Sequence, residues 1–258
     1  MTRAVLFILF ATITSYAQVR VSKLVINPGE VYELGESDII VADTLIMMDS
    51  SRIKLNQLKR ENYIRAKVAI FGNHTIIDGR GVSGKPGRNG KPGRTFIGPC
   101  RAGSDGAHGT RGLEGTPGIN LFLYIDKINI TGRLIIDLSG GHGGNGGDGG
   151  EGGGGSPGTL QCDGGNGGNG GSGAIGGNGG VGGTLTIGGS DLAIIKTLIG
   201  NKLTLYNKGG NFGYGGISGF GGPPGLGPAK KNGRAGVRGI DGPYGRSGNN
   251  GSVKFEEQ

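Results

Sequence analysis

The sequence has no tryptophan, 7 Tyr, 8 Phe, 10 Pro, 3 His and 2 Cys, and hydrophobic residues make up only 34% of its 258 positions. So little apolar material does not supply the single large core of an ordinary globular enzyme of this length. Ten prolines exclude a continuous collagen rod, which needs abundant proline and glycine near one third. Two cysteines make no two-pair zinc motif, and the three histidines form no His-Glu-x-x-His pattern, so neither metal nor cofactor is expected. Beyond residue 13 no run approaches the eighteen or so apolar residues of a membrane helix. A membrane span is therefore not expected either.

The apolar run at residues 4–13 follows Met1-Thr2-Arg3 and precedes Ser15-Tyr16-Ala17. That order of basic start, apolar stretch and small residues is a secretory signal peptide, with 1–17 as the leader. The expectation is an exported protein of the bacterial periplasm, cell surface or extracellular space, where a disulfide can persist.

What the sequence has is glycine, 63 residues of it. Gly recurs every third residue at 81–93 and again at 103–118, and two further pairs of tracts occupy 140–182 and 210–251. Six tracts result, grouped as three out-and-back hairpins. A period of three is that of the polyproline-II helix, whose backbone makes no internal hydrogen bonds. Its donors and acceptors must find partners elsewhere, and packing of the six tracts on one another would provide them. The first and third hairpins read mainly Gly-X-Y, as in Gly84-Lys85-Pro86-Gly87, whereas the second reads Gly-Gly-X, as in Gly143-Gly144-Asn145. A tract with backbones on more sides needs glycine on more faces, so the second hairpin is expected in the middle.

The remaining segments, 18–80, 119–139, 184–208 and 252–258, are rich in Val, Ile, Leu and Thr and often alternate, as in Lys202-Leu203-Thr204-Leu205-Tyr206. These are strand signals; helical periodicity is confined to a weak candidate at 55–65. Three segments share one layout of strand, break and second strand running directly into a glycine hairpin. Thr75-Ile76-Ile77-Asp78-Gly79-Arg80-Gly81 resembles the rungs of pectate-lyase-type β-helices. The expected fold is all-β: a β-solenoid base, with a β-sandwich as the alternative, bearing an inserted six-tract polyglycine-II bundle. Arms of 16–19 residues at about 3.1 Å each would project roughly 50 Å. The hairpins at 81–118, 140–182 and 210–251 are similar in architecture to the polyglycine-II bundles of the springtail antifreeze protein and of phage tail-fibre adhesin tips. That resemblance implies recognition by loops between the helices, or ice binding by a regular face.

Cys100 and Cys162 fall in the tip loops of the first two hairpins and are expected to pair. The same loops and the third tip carry Phe96, Ile97, Leu160, Gln161, Leu226, Pro228, Lys230 and Lys231, the expected contact set. Lys85, Arg88, Lys91 and Arg94 share one face of the first arm, and Arg234 and Arg238 lie on the last, a basic edge suited to acidic polymers. Aromatics interleaved with the cations of the two outer hairpins, as stacking on nucleic acid needs, are not expected, and neither is nucleic acid. Asp78 and Asp137 are a weak hint of catalysis, since each precedes a glycine hairpin where a short polar residue shapes a turn. Gly146-Gly147-Asp148-Gly149-Gly150 is superficially like a calcium-binding repeat but lacks its aliphatic residue. The sequence thus points to a non-enzymatic structural or recognition protein whose partner is a cell-surface protein or acidic glycan. The alternatives are an accessory subunit of an envelope assembly, an ice-binding protein and a collagen-like trimer.

Overall fold

The computed structural model of the protein describes residues 19–257, the side chains of Val19 and Lys230 excepted; the leader expected at 1–17 lies outside them. Period-two alternation sets the strands. Along Ile39–Met47, Glu61–Phe71 and Asn120–Ile130, buried residues largely alternate with exposed or half-buried ones, as half-buried strands require. In chain order the strands are β1 (Val19–Ile26), β2 (Val31–Glu33), β3 (Ile39–Met47), β4 (Arg52–Lys54), β5 (Glu61–Phe71) and β6 (Thr75–Asp78). They continue with β7 (Asn120–Ile130), β8 (Leu134–Asp137), β9 (Leu185–Gly188), β10 (Leu203–Tyr206) and β11 (Val253–Glu256).

The protein is mostly strand with almost no helix, and its strands form two parallel sheets. One sheet has the order β1-β3-β5-β7-β9-β11 and the other β10-β8-β6-β4-β2, so successive strands alternate between sheets along most of the chain. Residues of like kind stack in register: Ile40, Ile64, Leu123 and Ile187 run across one sheet, and Ile53, Ile77 and Ile136 across the other. All seven are completely buried, in a cluster drawn from both sheets. Burial of each such side chain contributes about 1.5–3 kcal/mol. On the other face of the first sheet Tyr63 stacks on Phe122, its register partner, with ring centroids 4.5 Å apart.

The helical hint at 55–65 is corrected. Glu61 onward is strand β5, because its apolar residues recur every second position. A helix instead occupies Leu192–Leu198, where Leu192 and Ile195, spaced three apart, bury one face.

The glycine tracts continue the sheets. Arms 1 (81–93), 3 (140–158) and 5 (210–225) follow β6, β8 and β10, and arms 2 (103–118), 4 (164–182) and 6 (233–251) lead into β7, β9 and β11. The β6–β8 ladder passes straight into them through Gly79 N to Asp137 O, Gly81 N to Ser139 O and Gly84 N to His142 O. From there donors recur every third residue. Arms 1, 3 and 5 pair side by side in parallel, as do arms 2, 4 and 6, and the two layers are stitched by antiparallel bonds such as Gly147 N to Thr110 O and Gly168 N to Gly153 O. Arm 3 bonds to arms 1, 2, 4 and 5, and arm 4 to arms 2, 3, 5 and 6; arm 1 bonds only to arms 2 and 3. The second hairpin therefore lies between the other two.

The triplet pattern follows from these neighbours. A Cβ on Gly146 would run into Ala174 O of arm 4, and one on Gly147 into Arg88 O of arm 1. Both positions of the doublet are thus closed. In arm 1 a Cβ on Gly87 meets Thr110 O, while Arg88 and Asn89 are exposed. Ala174 breaks the doublet pattern in arm 4 yet keeps its hydrogen bonds to Gly147 O and from Gly216 N, at 2.9 and 2.8 Å; nothing in the structure explains how it is accommodated.

Replacing Gly147 by Ala overpacks a contact whose neighbour is backbone, and should cost about 1–3 kcal/mol. Val237→Ala, on the exposed outer arm, should change stability by less than about 0.5 kcal/mol. Urea melts of the two variants check this, and equal midpoints would mean that the arms do not touch.

Candidate functional site

Three surfaces collect the side chains with chemistry. The first is the far end of the hairpins. The tip loops 94–102, 156–163 and 226–232 are bound into one unit: Cys100 N donates to Pro157 O (2.8 Å), Ser156 Oγ to Phe96 O (2.5 Å) and Gly158 N to Leu226 O (2.8 Å). Cys100 and Cys162 form a disulfide, with Cα atoms 6.1 Å apart. Cys100 and Gly98 both have positive φ, 62° and 112°, so the first loop turns sharply and faces its cysteine toward the second. Around this frame Ile97 is 96% exposed, Leu160 88% and Leu226 71%. Phe96, Gln161 and Lys231 are exposed as well, and Lys230 ends the short 3₁₀ turn Pro228–Lys230. All the tip residues singled out in the sequence thus come together.

The basic residues do not form one edge. Lys85, Arg88, Lys91 and Arg94 line the exposed margin of arm 1, alternating with Pro86 and Pro92. Arg234 and Arg238 lie on arm 6, with arms 2 to 5 in between. Cations and prolines along an open margin are the usual protection of an unpaired edge. Arg238 is also engaged: it pairs with Asp241 at 3.3 Å, donates to Ser218 Oγ at 2.9 Å and lies 5.0 Å from the Phe220 ring centroid.

The second surface, a groove of about 680 Å³ where the second sheet meets the arms, was not singled out in the sequence. It is lined by Glu33, Arg52, Lys54, Asp78, Arg80, Asp137 and His142 among others. Asp78 and Asp137 are register partners on β6 and β8. Each shapes the turn into its arm, Asp78 accepting from Arg80 N and Asp137 from Ser139 N, two residues on. Arg80 bridges them, 2.8 Å from Asp78 and 3.8 Å from Asp137, and Arg52 reaches Asp78 at 3.3 Å. Burial pushes the Asp78 carboxyl up, but hydrogen bonds from Arg80 and the charges of Arg80 and Arg52 outweigh it and hold it below the ordinary carboxylate range. Arg80 follows Asp78 by two residues, whereas Arg52 comes from β4 and Asp137 from β8, so register brings those two to the pair.

The third surface is the outer margin of the third hairpin, where Phe212, Tyr214 and Tyr244 form a ring cluster with centroids 5.5–5.9 Å apart. The signal that would have found it is plain in the sequence: aromatics occur in the arms of this hairpin and in no other arm.

Other residues that drew notice in the sequence serve the backbone. Asp148 Oδ1 accepts from Ile217 N (2.7 Å), His142 Nδ1 from Asn211 N (2.9 Å) and His108 Nδ1 from Ser172 N (2.8 Å). His74 occupies a turn at φ 54°. Among the described residues no group of three or more His, Cys, Asp or Glu could hold a metal ion, and no helix is long and apolar enough to cross a membrane.

No family model matches the chain, and neither does any curated protein or solved structure.

Two measurements follow from these geometries. Because the Asp78 carboxyl sits below its unfolded value, its stabilisation is present above that value, near pH 4, and fades as pH falls through the folded one. Asp78→Asn should cost about 1–3 kcal/mol at pH 7 and flatten the acid limb of a pH series of melts, while the parent shows that limb in full. The disulfide spans 62 residues, and Cys100→Ser/Cys162→Ser should lose about 4 kcal/mol on the chain-entropy account, read as a lowered urea midpoint that reductant also produces in the parent.

Proposed function

We propose that the protein is an exported, non-enzymatic recognition protein, in which a β-solenoid base carries a polyglycine-II bundle and the bundle tip makes the contact with a cell-surface partner. Strand alternation between two parallel sheets supports the solenoid. The three-residue recurrence of inter-arm hydrogen bonds supports polyglycine-II arms. The bonded cysteines are compatible with export.

One observation carries the reading. Three loops tied by a disulfide and by backbone hydrogen bonds hold Ile97, Leu160 and Leu226 almost wholly in solvent at the end of the arms. Branched aliphatics in that position are covered little by their own chain, and exposed apolar residues gathered at one end of a molecule mark interaction sites. A loop frame fixed beforehand loses little conformational entropy on binding. The groove fits a structural role better than a catalytic one, since Asp78 is held ionised by two arginines and has no proton to deliver near neutral pH.

The test is binding of fluorescently labelled protein to envelope fragments of the producing cells. Ile97→Ser/Leu160→Ser/Leu226→Ser should melt like the parent, because the three side chains are exposed, and should lose at least tenfold in binding. Undiminished binding by this variant would remove the tip from the mechanism.

A further inference from the structure

The ring cluster of the third hairpin is not needed to hold the arms together. Cohesion between arms resides in backbone hydrogen bonds, and arms 1 to 4 are built without any aromatic residue. Arms 5 and 6 nevertheless carry Phe212, Tyr214, Phe220 and Tyr244. Tyr214, Phe220 and Tyr244 are 59%, 61% and 63% exposed. Tyr214, Ile217 and Phe220 occupy the same position of successive triplets, so they stand in a row along the arm. The row spans roughly 19 Å at about 3.1 Å per residue.

Beside the rings, Gly215, Gly216 and Gly242 floor a shallow recess of about 270 Å³ walled by Ile217, Pro243, Tyr244 and Asp241. Glycine in the arm leaves the gap; tyrosine and proline make its flanks. Polar groups are fixed at its rim. Ser218 Oγ donates to Asp241 at 2.6 Å, and Arg238 is held by both residues and by the face of Phe220. The hairpin from 209 to 251 has five cations, Lys230, Lys231, Arg234, Arg238 and Arg246, against Asp241 as its sole carboxylate.

We propose that this margin binds a carboxylated polysaccharide lying along the hairpin, its sugar rings against Tyr214, Tyr244 and Phe220 and its carboxylates on Arg238 and Arg246. A linear row of exposed rings suits an extended polymer better than a compact ligand, and the surplus of cations selects an anionic one. Single-stranded nucleic acid also combines rings with negative charge. It is disfavoured because Asp241, in the wall of the recess beside Tyr244, offers an acceptor suited to the hydroxyls of a sugar ring seated there. The site is separate from the tip and does not depend on the tip being a contact.

The experiment is titration calorimetry of the full chain with alginate at low salt, with neutral dextran and oligo-dT as comparison ligands. Alginate should bind, with weaker binding as salt rises. Tyr214→Ala and Tyr244→Ala should each weaken it at least tenfold and Arg238→Gln at least threefold, with unchanged melting. The tip triple variant and Lys91→Gln/Arg94→Gln should bind alginate like the parent, which separates this site from both the tip and the first-arm margin. Absence of alginate binding, equal binding of dextran, tighter binding of oligo-dT, or indifference to the tyrosine substitutions would each overturn the proposal.

Discussion

Contact of backbone on backbone governs this structure. In the arms the space between neighbours is filled mostly by main chain, and a single Cβ at Gly84, Gly147 or Gly168 would land on a carbonyl of the next arm. The same geometry leaves each of these Cα atoms no more than about 3.5 Å from that oxygen, the separation of a Cα–H···O contact, each worth about half of an ordinary hydrogen bond. Cohesion is therefore spread over many weak, identical bonds, with no apolar core. Glycine costs more conformational entropy on ordering than any other residue. Such an assembly needs both ends held, and the molecule holds them by different means: at one end two sheets with a buried Ile, Leu and Ala core set the register of all six arms, and at the other the Cys100–Cys162 bond joins the tips.

Period three also creates a problem that the side chains solve. In a tract such as arm 3, two of each three N–H groups reach neighbouring arms, and the third faces the surface of the layer. Short polar residues from the adjoining arm meet it: Asn89 accepts from Asp148 N, Asn145 from Tyr214 N, Asn166 from Arg234 N and Asn178 from Arg246 N. The Asn, Asp, Ser and His content of the Gly-Gly-X hairpin is thus explained as backbone satisfaction. The resemblance of 146–150 to an ion-binding repeat arises from that need, because Asp148 is already used as an acceptor.

How much of this could be read from the sequence depended on whether a constraint acts at every residue or only once. The arms were legible because each triplet repeats the same steric demand, and the change from Gly-X-Y to Gly-Gly-X reports how many sides of a tract are covered. The all-β character was legible from alternation in segments such as Lys202–Tyr206. The tip cysteines were legible because each falls in the loop at the far end of a hairpin and the two hairpins are neighbours. By contrast, Leu192–Leu198 is a helix set by two buried contacts, too few to stand out as a period. The groove was half visible: Asp78 and Asp137 drew notice together, each ahead of a glycine hairpin, whereas Arg52 reaches Asp78 only through the register of β4 and β6. The ring cluster was half visible: the phase shared by 214, 217 and 220 lies in one arm, whereas its meeting with Tyr244 depends on the antiparallel pairing of arm 5 with arm 6.

Separation of cohesion from side chains has a functional consequence. In a conventional fold, an aromatic or basic residue on the surface usually shares its stem with the packing beneath, so recognition and stability change together. Here the hydrogen bonds that join arms 1 and 6 to their neighbours are mainly backbone, and the side-chain contacts of arm 6, such as Tyr244 on Phe212 and Tyr214, are laid over them. An outward residue such as Lys85 is free to differ without loosening the lattice, provided that glycine keeps every third place. The two open margins show the range this allows, since one presents cations and prolines with no ring and the other presents rings, cations and a carboxylate. A scaffold held chiefly by main-chain contacts can carry either surface, and the choice between them is written in the exposed positions of the outermost arms.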